Sequence, residues 1–344
     1  MNGTRGTRIT VILIHILVIC LRAQDSDRTP LFQEEQSLSV RLTVSLKDIK
    51  KNTNDSTYFP AVLYYKDIQN RWDSIPIDIR ARGNFRRKHC TFPPLRIKIK
   101  KGDAKETLFA GTKSLKLVLP CHVPKNNNDL ILKEYICYQL YEPITPYVFS
   151  TRLVDITLND ETGKQVKTQE LKGFFIEDDD AAAKRFHAKV INKEKLHPLL
   201  LQDTSSIRLD LFQYMIANTD FSTTFLHNVD IIQTKAGLYI PIAYDFDMSG
   251  FVNAPYATFD ETLGIHSVRD RVYKGFCRNE NVAESVRQEY IRMEPKIMDV
   301  INTYESFFDP KEIDGMKKYM NEFFTIIKND GSYREKIIQQ CRTR

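Results

Sequence analysis

Residues 212–250 read FQYMIANTDFSTTFLHNVDIIQTKAGLYIPIAYDFDMSG, and from them the organisation of the second half of the chain follows. Val229 to Thr234 is rich in β-branched residues, Lys235-Ala236-Gly237 is turn-forming, and Leu238 to Tyr244 resumes an apolar, strand-prone run. Two antiparallel strands about a centre near position 236.5 would set Asn228 opposite Asp245. Asp220 falls just before the hairpin, in the loop after an apolar, helix-like run from Leu209 to Ala217. A loop aspartate, an asparagine entering a hairpin and an aspartate leaving it match the order in which kinases present a base and two metal ligands.

Upstream the chain reads as strands. Leu38 to Leu46, Ala61 to Tyr65 and Ile75 to Arg82 alternate apolar and polar residues, and Leu95 to Lys100 alternates strictly. In the last run Leu95, Ile97 and Ile99 take one face while Arg96, Lys98 and Lys100 take the other. Ser114 to Leu119 repeats the pattern around Lys116. A helix is expected from Asp129, with Leu130, Ile131, Tyr135, Ile136 and Leu140 at helical spacing, until Pro143 ends it. Two more strands follow, Arg152 to Leu158 and Glu170 to Ile176. From about Lys184 helices dominate, and Asn281 to Ile327 is mostly amphipathic. The class is therefore α+β, a β-rich first half carrying one helix and a mainly helical second half.

Composition narrows the function classes. At 344 residues, with 42% hydrophobic and 11% aromatic residues, the chain can bury a large core. Arg5 and Arg8 precede an apolar run from Ile9 to Leu21, read as a secretory signal peptide over residues 1–23 rather than a lipoprotein signal, with a loose tether at 24–36. The formal net charge is +6, and removing that segment, with three arginines and no acids, leaves about +3. That is too mild a charge to argue for nucleic acid as a partner. No later stretch reads as a transmembrane span. Cys90, Cys121, Cys137, Cys277 and Cys341 remain, an odd number at wide spacing, read by default as single buried cysteines with room for one or two bridges. Neither CxxC nor HxxxH spacing supports a zinc site at His89-Cys90 and Cys121-His122.

Several blocks together resemble the spore coat protein H-type (CotH) kinase family, in particular its secreted versions from Bacteroidetes-like bacteria. They are RARGN (80–84), KSLKLV (113–118), LKEYICYQLY (132–141), GFFIEDDDAAAKRF (173–186), and FQYMIANTDFS with HNV and YDFDMSG. The resemblance implies an atypical protein-kinase-like two-lobed fold, with a β-rich N-lobe over about residues 37–177 and a mainly helical C-lobe over about 178–344. It implies ATP as co-substrate, Mg²⁺ or Mn²⁺, and transfer to Ser or Thr of an unidentified envelope or secreted protein. Carried over position by position, Asp220 looks like the catalytic aspartate, Asp245 like the metal-binding aspartate, with Asn228 and Asp247 as further ligands. The spacing departs from typical kinases, because Asn228 follows Asp220 by eight positions rather than about five. Lys98, paired with Glu134, is the expected phosphate-side lysine, with Lys116 as the alternative. The turn at Arg82 is expected over the phosphates and Glu177 near the base of the nucleotide. Two other readings use the same residues: a catalytically silent binding protein, and a metal-dependent phosphohydrolase with water as acceptor.

Overall fold

The computed structural model describes residues 27–51, 56–83, 85–123, 127–191 and 196–343. The expected signal peptide lies outside them. Seven strands make up the first half: β1 (Leu38–Val44), β2 (Phe59–Lys66), β3 (Trp72–Ala81), β4 (Leu95–Lys98), β5 (Ser114–Val118), β6 (Thr151–Asp160) and β7 (Lys167–Glu177). They form a closed barrel in the order β1-β2-β3-β4-β5-β7-β6. Closure comes from β1 running parallel to β6, from Leu38 opposite Val154 to Val44 opposite Asp160. This overturns the expected two-lobed kinase-like fold, whose N-lobe sheet would stay open. The α+β class stands. Alternation along each strand names the buried face but is silent on whether the first and last strands meet, and closure leaves no unpaired edge.

The barrel interior is filled by apolar residues of the alternating strands, among them Val40, Leu42, Ile79, Ile97 and Leu117, together with Phe175. Leu31 and Phe32, in the stretch read as a loose tether, are buried in the same core. Arg152 fixes them there, donating to the carbonyls of Leu31 and Gln36. A short helix α1 (Phe85–His89) follows β3, and α2 (Asn127–Tyr141) links β5 to β6. The run from Ile131 to Tyr138 is buried throughout, the charged Lys133 and Glu134 included, so the helix is enclosed on all sides rather than along one stripe.

The second half packs α3 (Asp179–Arg185), α4 (Asp203–Met215), α5 (Glu280–Thr303) and α6 (Pro310–Lys328) around α2, with a small sheet of β8 (Lys189–Val190), β9 (Val229–Gln233) and β10 (Tyr239–Ala243). No helix among the described residues is long and apolar enough to cross a membrane. Among the described residues four cysteines form two disulfides, Cys90–Cys121 and Cys277–Cys341, and Cys137 is free and buried. The default reading of single buried cysteines is thus corrected for four of the five.

The hairpin forms with its register moved by one. Val229 pairs with Ala243 and Gln233 with Tyr239, so Asn228 faces Tyr244, whose N–H donates to the Asn228 carbonyl at 3.1 Å. The cause is an odd, three-residue connection. Gly237 donates to the Thr234 carbonyl and takes φ +81°, closing the turn on a left-handed third residue, so the centre falls on Ala236.

Candidate functional site

Asp220 is set by the end of α4. The helix stops at Ile216, Ala217 adopts φ +49°, and the side-chain oxygen of buried Asn218 accepts the Asp220 N–H at 3.0 Å in an Asx turn. The chain then doubles back. Ser222 and His227 exchange backbone hydrogen bonds of 2.9 and 3.0 Å, which returns the loop to its start. His227 Nε2 shares a 2.9 Å hydrogen bond with Asp220 Oδ1. Asn228 Nδ2 donates to the Asp220 carbonyl at 2.7 Å and to Oδ2 at 3.1 Å. The eight-residue spacing is absorbed by this internal fold-back. Lys274 pins the loop from outside, donating to the carbonyls of Thr219 and Phe221.

Asp245 leaves β10 with φ +62°, and its N–H donates to the hydroxyl of Tyr138 on α2 at 2.9 Å. Between the two aspartates Phe246 is buried against Tyr138 and Phe212, with ring centroids at 4.7 and 5.4 Å. That anchor holds Asp245 and Asp247 in the wall of one cavity. Gly250 and Phe251 then donate to the carbonyls of Ala217 and Ile216, tying this segment to the Asp220 loop.

The cavity has a volume of about 320 Å³ and brings together Asp220, Asn228, Asp245, Asp247, Lys116 and Arg82. That size suits a small-molecule ligand. The cations Arg82, Arg86 and Lys116 come from the barrel and α1, whereas the carboxylates come from the helical half. A polyphosphate would find positive charge on one wall and carboxylates, with any cation they hold, on the other.

Arg86, which the sequence reading did not single out, organises the positive wall. It is buried, 3.4 Å from Glu134 and 3.9 Å from Asp247, and donates to the Leu119 carbonyl. Burial opposes its charge, but the attraction of Glu134 and Asp247 holds the guanidinium protonated well above its ordinary range. Burial pushes Glu134 well up, with Arg86 opposing. Burial, and then the neighbouring Asp245, pushes Asp247 up to about 7, again against Arg86. No periodicity separates a buried arginine in a five-residue helix from an exposed one, so only the arginine-rich stretch after Gly83 carried a signal.

The expected pairing of Lys98 with Glu134 does not occur. Lys98 is exposed, its Nζ 4.0 Å over the Tyr58 ring, and Glu134 has Arg86 instead. Lys116 is the lysine in the cavity, only 3% exposed and ion-paired with Asp179. Burial raises Asp179, but Lys116 outweighs it and keeps that carboxylate low. Asp230 on β9 is pushed up to about 6 by burial and then by Asp179. Glu177 lies outside the cavity lining: it is buried and bound by Arg185 at 2.8 and 3.2 Å and by the Ser150 N–H. Arg82 and Gly83 line the cavity; Asn84 lies outside the described residues.

Among the described residues no three His, Cys, Asp or Glu side chains form a ready-made metal group. The donors at hand are nonetheless hard oxygens. Asp247 Oδ2 is buried without a hydrogen-bond partner, Asp245 is its charged neighbour, and Asn228 spends its amide nitrogen on Asp220, which leaves its oxygen for a cation. This set fits Mg²⁺ or Mn²⁺. In comparison with known proteins, no family model matches the chain and no curated protein matches it.

Proposed function

We propose that the protein is an exported phosphotransferase that uses Mg–ATP or Mn–ATP to phosphorylate Ser or Thr hydroxyls of a protein acceptor. The reading rests on the site rather than on the architecture. One observation carries it: Asp220, Asn228, Asp245 and Asp247 line the same cavity as Lys116, Arg82 and Arg86. Asp220 accepts the proton of the acceptor hydroxyl as its oxygen forms the new bond to phosphorus and the bond to the departing diphosphate breaks. His227 and Asn228 hold its carboxylate in place. Lys116 and Arg82 bind phosphate oxygens, and the buried Arg86–Glu134 pair keeps that wall rigid. A divalent cation on Asp245, Asn228 and Asp247 would neutralise phosphate charge. Two disulfides fit the oxidising compartment to which such an enzyme would be exported.

The Asp220–His227 contact of 2.9 Å favours one alternative, a phosphohydrolase in which this pair activates water. Incubation with γ-labelled ATP and Mg²⁺ or Mn²⁺ separates the two. Label on protein, lost in Asp220→Ala and Asp245→Ala while both variants stay folded, is the expected result. Free labelled phosphate alone would make it a hydrolase. Undiminished labelling in Asp245→Ala would remove that residue from the mechanism.

A further inference from the structure

A second cavity, of about 540 Å³, lies on the outer face of the barrel beside α3. Its wall carries Arg96, Lys98, Lys100, Lys113 and Lys184. Asp78, Asp178 and Asp180 oppose them, so cations are in excess. Arg96 is committed to Asp178. The four lysines are exposed and have no carboxylate partner among the described residues. Ser114 lines the same space, and its Oγ, buried, has no hydrogen-bond partner.

This cavity adjoins the first. Arg96 and Lys116 are cross-strand neighbours on β4 and β5, as are Lys98 and Ser114. The consecutive residues Asp178 and Asp179 take Arg96 and Lys116 respectively. Two ion pairs therefore form the partition, and Ser114 lies two residues, roughly 7 Å along the strand, from Lys116.

We propose that this cavity is the docking groove for an acidic segment of the polypeptide acceptor, an inference that rests on the phosphotransferase reading above. The spacing of the cations selects the occupant. A lone phosphate wants donors converging on one point. Lys98 and Lys100 instead stand two residues apart in sequence, with Lys113 and Lys184 brought in from other segments. An extended peptide spaces its same-face side chains by the same two-residue repeat, so successive carboxylates meet successive lysines. Opposite-charge contacts at such an open site are individually weak, and three together amount to about a tenfold preference at low salt.

The test uses two fluorescent nonapeptides around a single Ser, one with Glu at alternate positions and one with Gln, titrated into the purified protein by anisotropy. The Glu peptide is expected to bind about tenfold more tightly, with the difference shrinking as salt rises. Lys98→Glu/Lys113→Glu/Lys184→Glu should abolish the preference, while Asp220→Ala should keep it. The charge-neutral set Lys98→Gln/Lys113→Gln/Lys184→Gln repeats the measurement should the reversed set fold poorly. Equal affinity for the two peptides, or a preference that survives both sets, overturns the proposal. Displacement of the peptide by a single equivalent of inorganic phosphate also overturns it, because the occupant would then be a free anion. Transfer from ATP without charge preference sinks the groove and spares the phosphotransferase. Charge-dependent binding without any transfer does the reverse.

Discussion

At the scale of single residues, burial of charge is what the fold invests in. Arg86 and Glu134 form an ion pair at 3.4 Å, and Glu134 is 1% exposed. Such a pair is weak evidence for stability but strong evidence for a fixed geometry, since removing either partner strands a buried charge. Asp210 on α4 is a different case. It is buried, its Oδ2 has no hydrogen-bond partner, and Arg278 and Arg342 are the cations that act on it. Burial pushes it from the ordinary aspartate value near 3.8 up to about 7 against those two arginines. Between those pH values the folded protein keeps a proton that the unfolded chain has released. The contribution of Asp210 is therefore greatest below about pH 4, falls as pH rises through the window, and levels off above about 7. The slope is at most about 1.4 kcal/mol per pH unit, on the order of 4 kcal/mol in all. Asp210→Asn, which mimics the protonated form, is expected to match the wild type near pH 4 and to exceed it near pH 8. Chemical denaturation at the two pH values checks this, and a gap that does not widen with pH would show that Asp210 is ionised in the fold.

At the scale of elements, legibility in the sequence depended on length and periodicity. The seven barrel strands and α2 read out within a few residues because each holds its period over at least four positions. The hairpin is legible as a hairpin but not in register, because a left-handed Gly237 makes the connection odd and composition alone does not count turn residues. α1 did not read out, and it is the element that carries Arg86. Five residues cannot hold a helix in water by propensity; here the Cys90–Cys121 disulfide at its end does so, helped by Thr91 and Phe92 donating to the Cys121 carbonyl. The two bridges thus have separable effects. The loop between Cys90 and Cys121 spans 31 residues and that between Cys277 and Cys341 spans 64, so each should stabilise by about 3–4 kcal/mol through the unfolded chain. Only the first is tied to the cavity. Cys90→Ser/Cys121→Ser should lower the melting temperature and also weaken the further rise produced by Mg–ATP, whereas Cys277→Ser/Cys341→Ser should lower the first and leave the nucleotide increment intact. Thermal scans with and without nucleotide read both quantities. Equal nucleotide increments in the two double variants would detach α1 from ligand binding.

At the scale of the whole molecule, the barrel and the helical half have separate apolar interiors that share a wall. On β7 Phe174 belongs to the helical core and Phe175 to the barrel core; on β6 Leu153 and Val154 divide in the same way, as do Val118 and Leu117 on β5. Strand alternation therefore feeds two cores at once, and the outward faces of β5 and β7 contribute Lys116, Val118 and Ile176 to the candidate site. Local pattern thus points to Lys116 on an alternating strand, while Lys98 and Glu177 lie outside the cavity lining; the architecture is not legible, because the joining of β1 to β6 is a contact between segments more than a hundred residues apart. A shared wall also couples the two halves energetically. Phe174→Ala and Phe175→Ala each empty a fully buried aromatic site, at a cost of about 3–5 kcal/mol. If β5, β6 and β7 bind the cores into one cooperative unit, both variants should unfold in a single calorimetric transition displaced to lower temperature by similar amounts. Two resolved transitions, with Phe174→Ala moving one and Phe175→Ala the other, would show instead that the barrel and the helical half are independent bodies. The cavity between them would then open without either half unfolding.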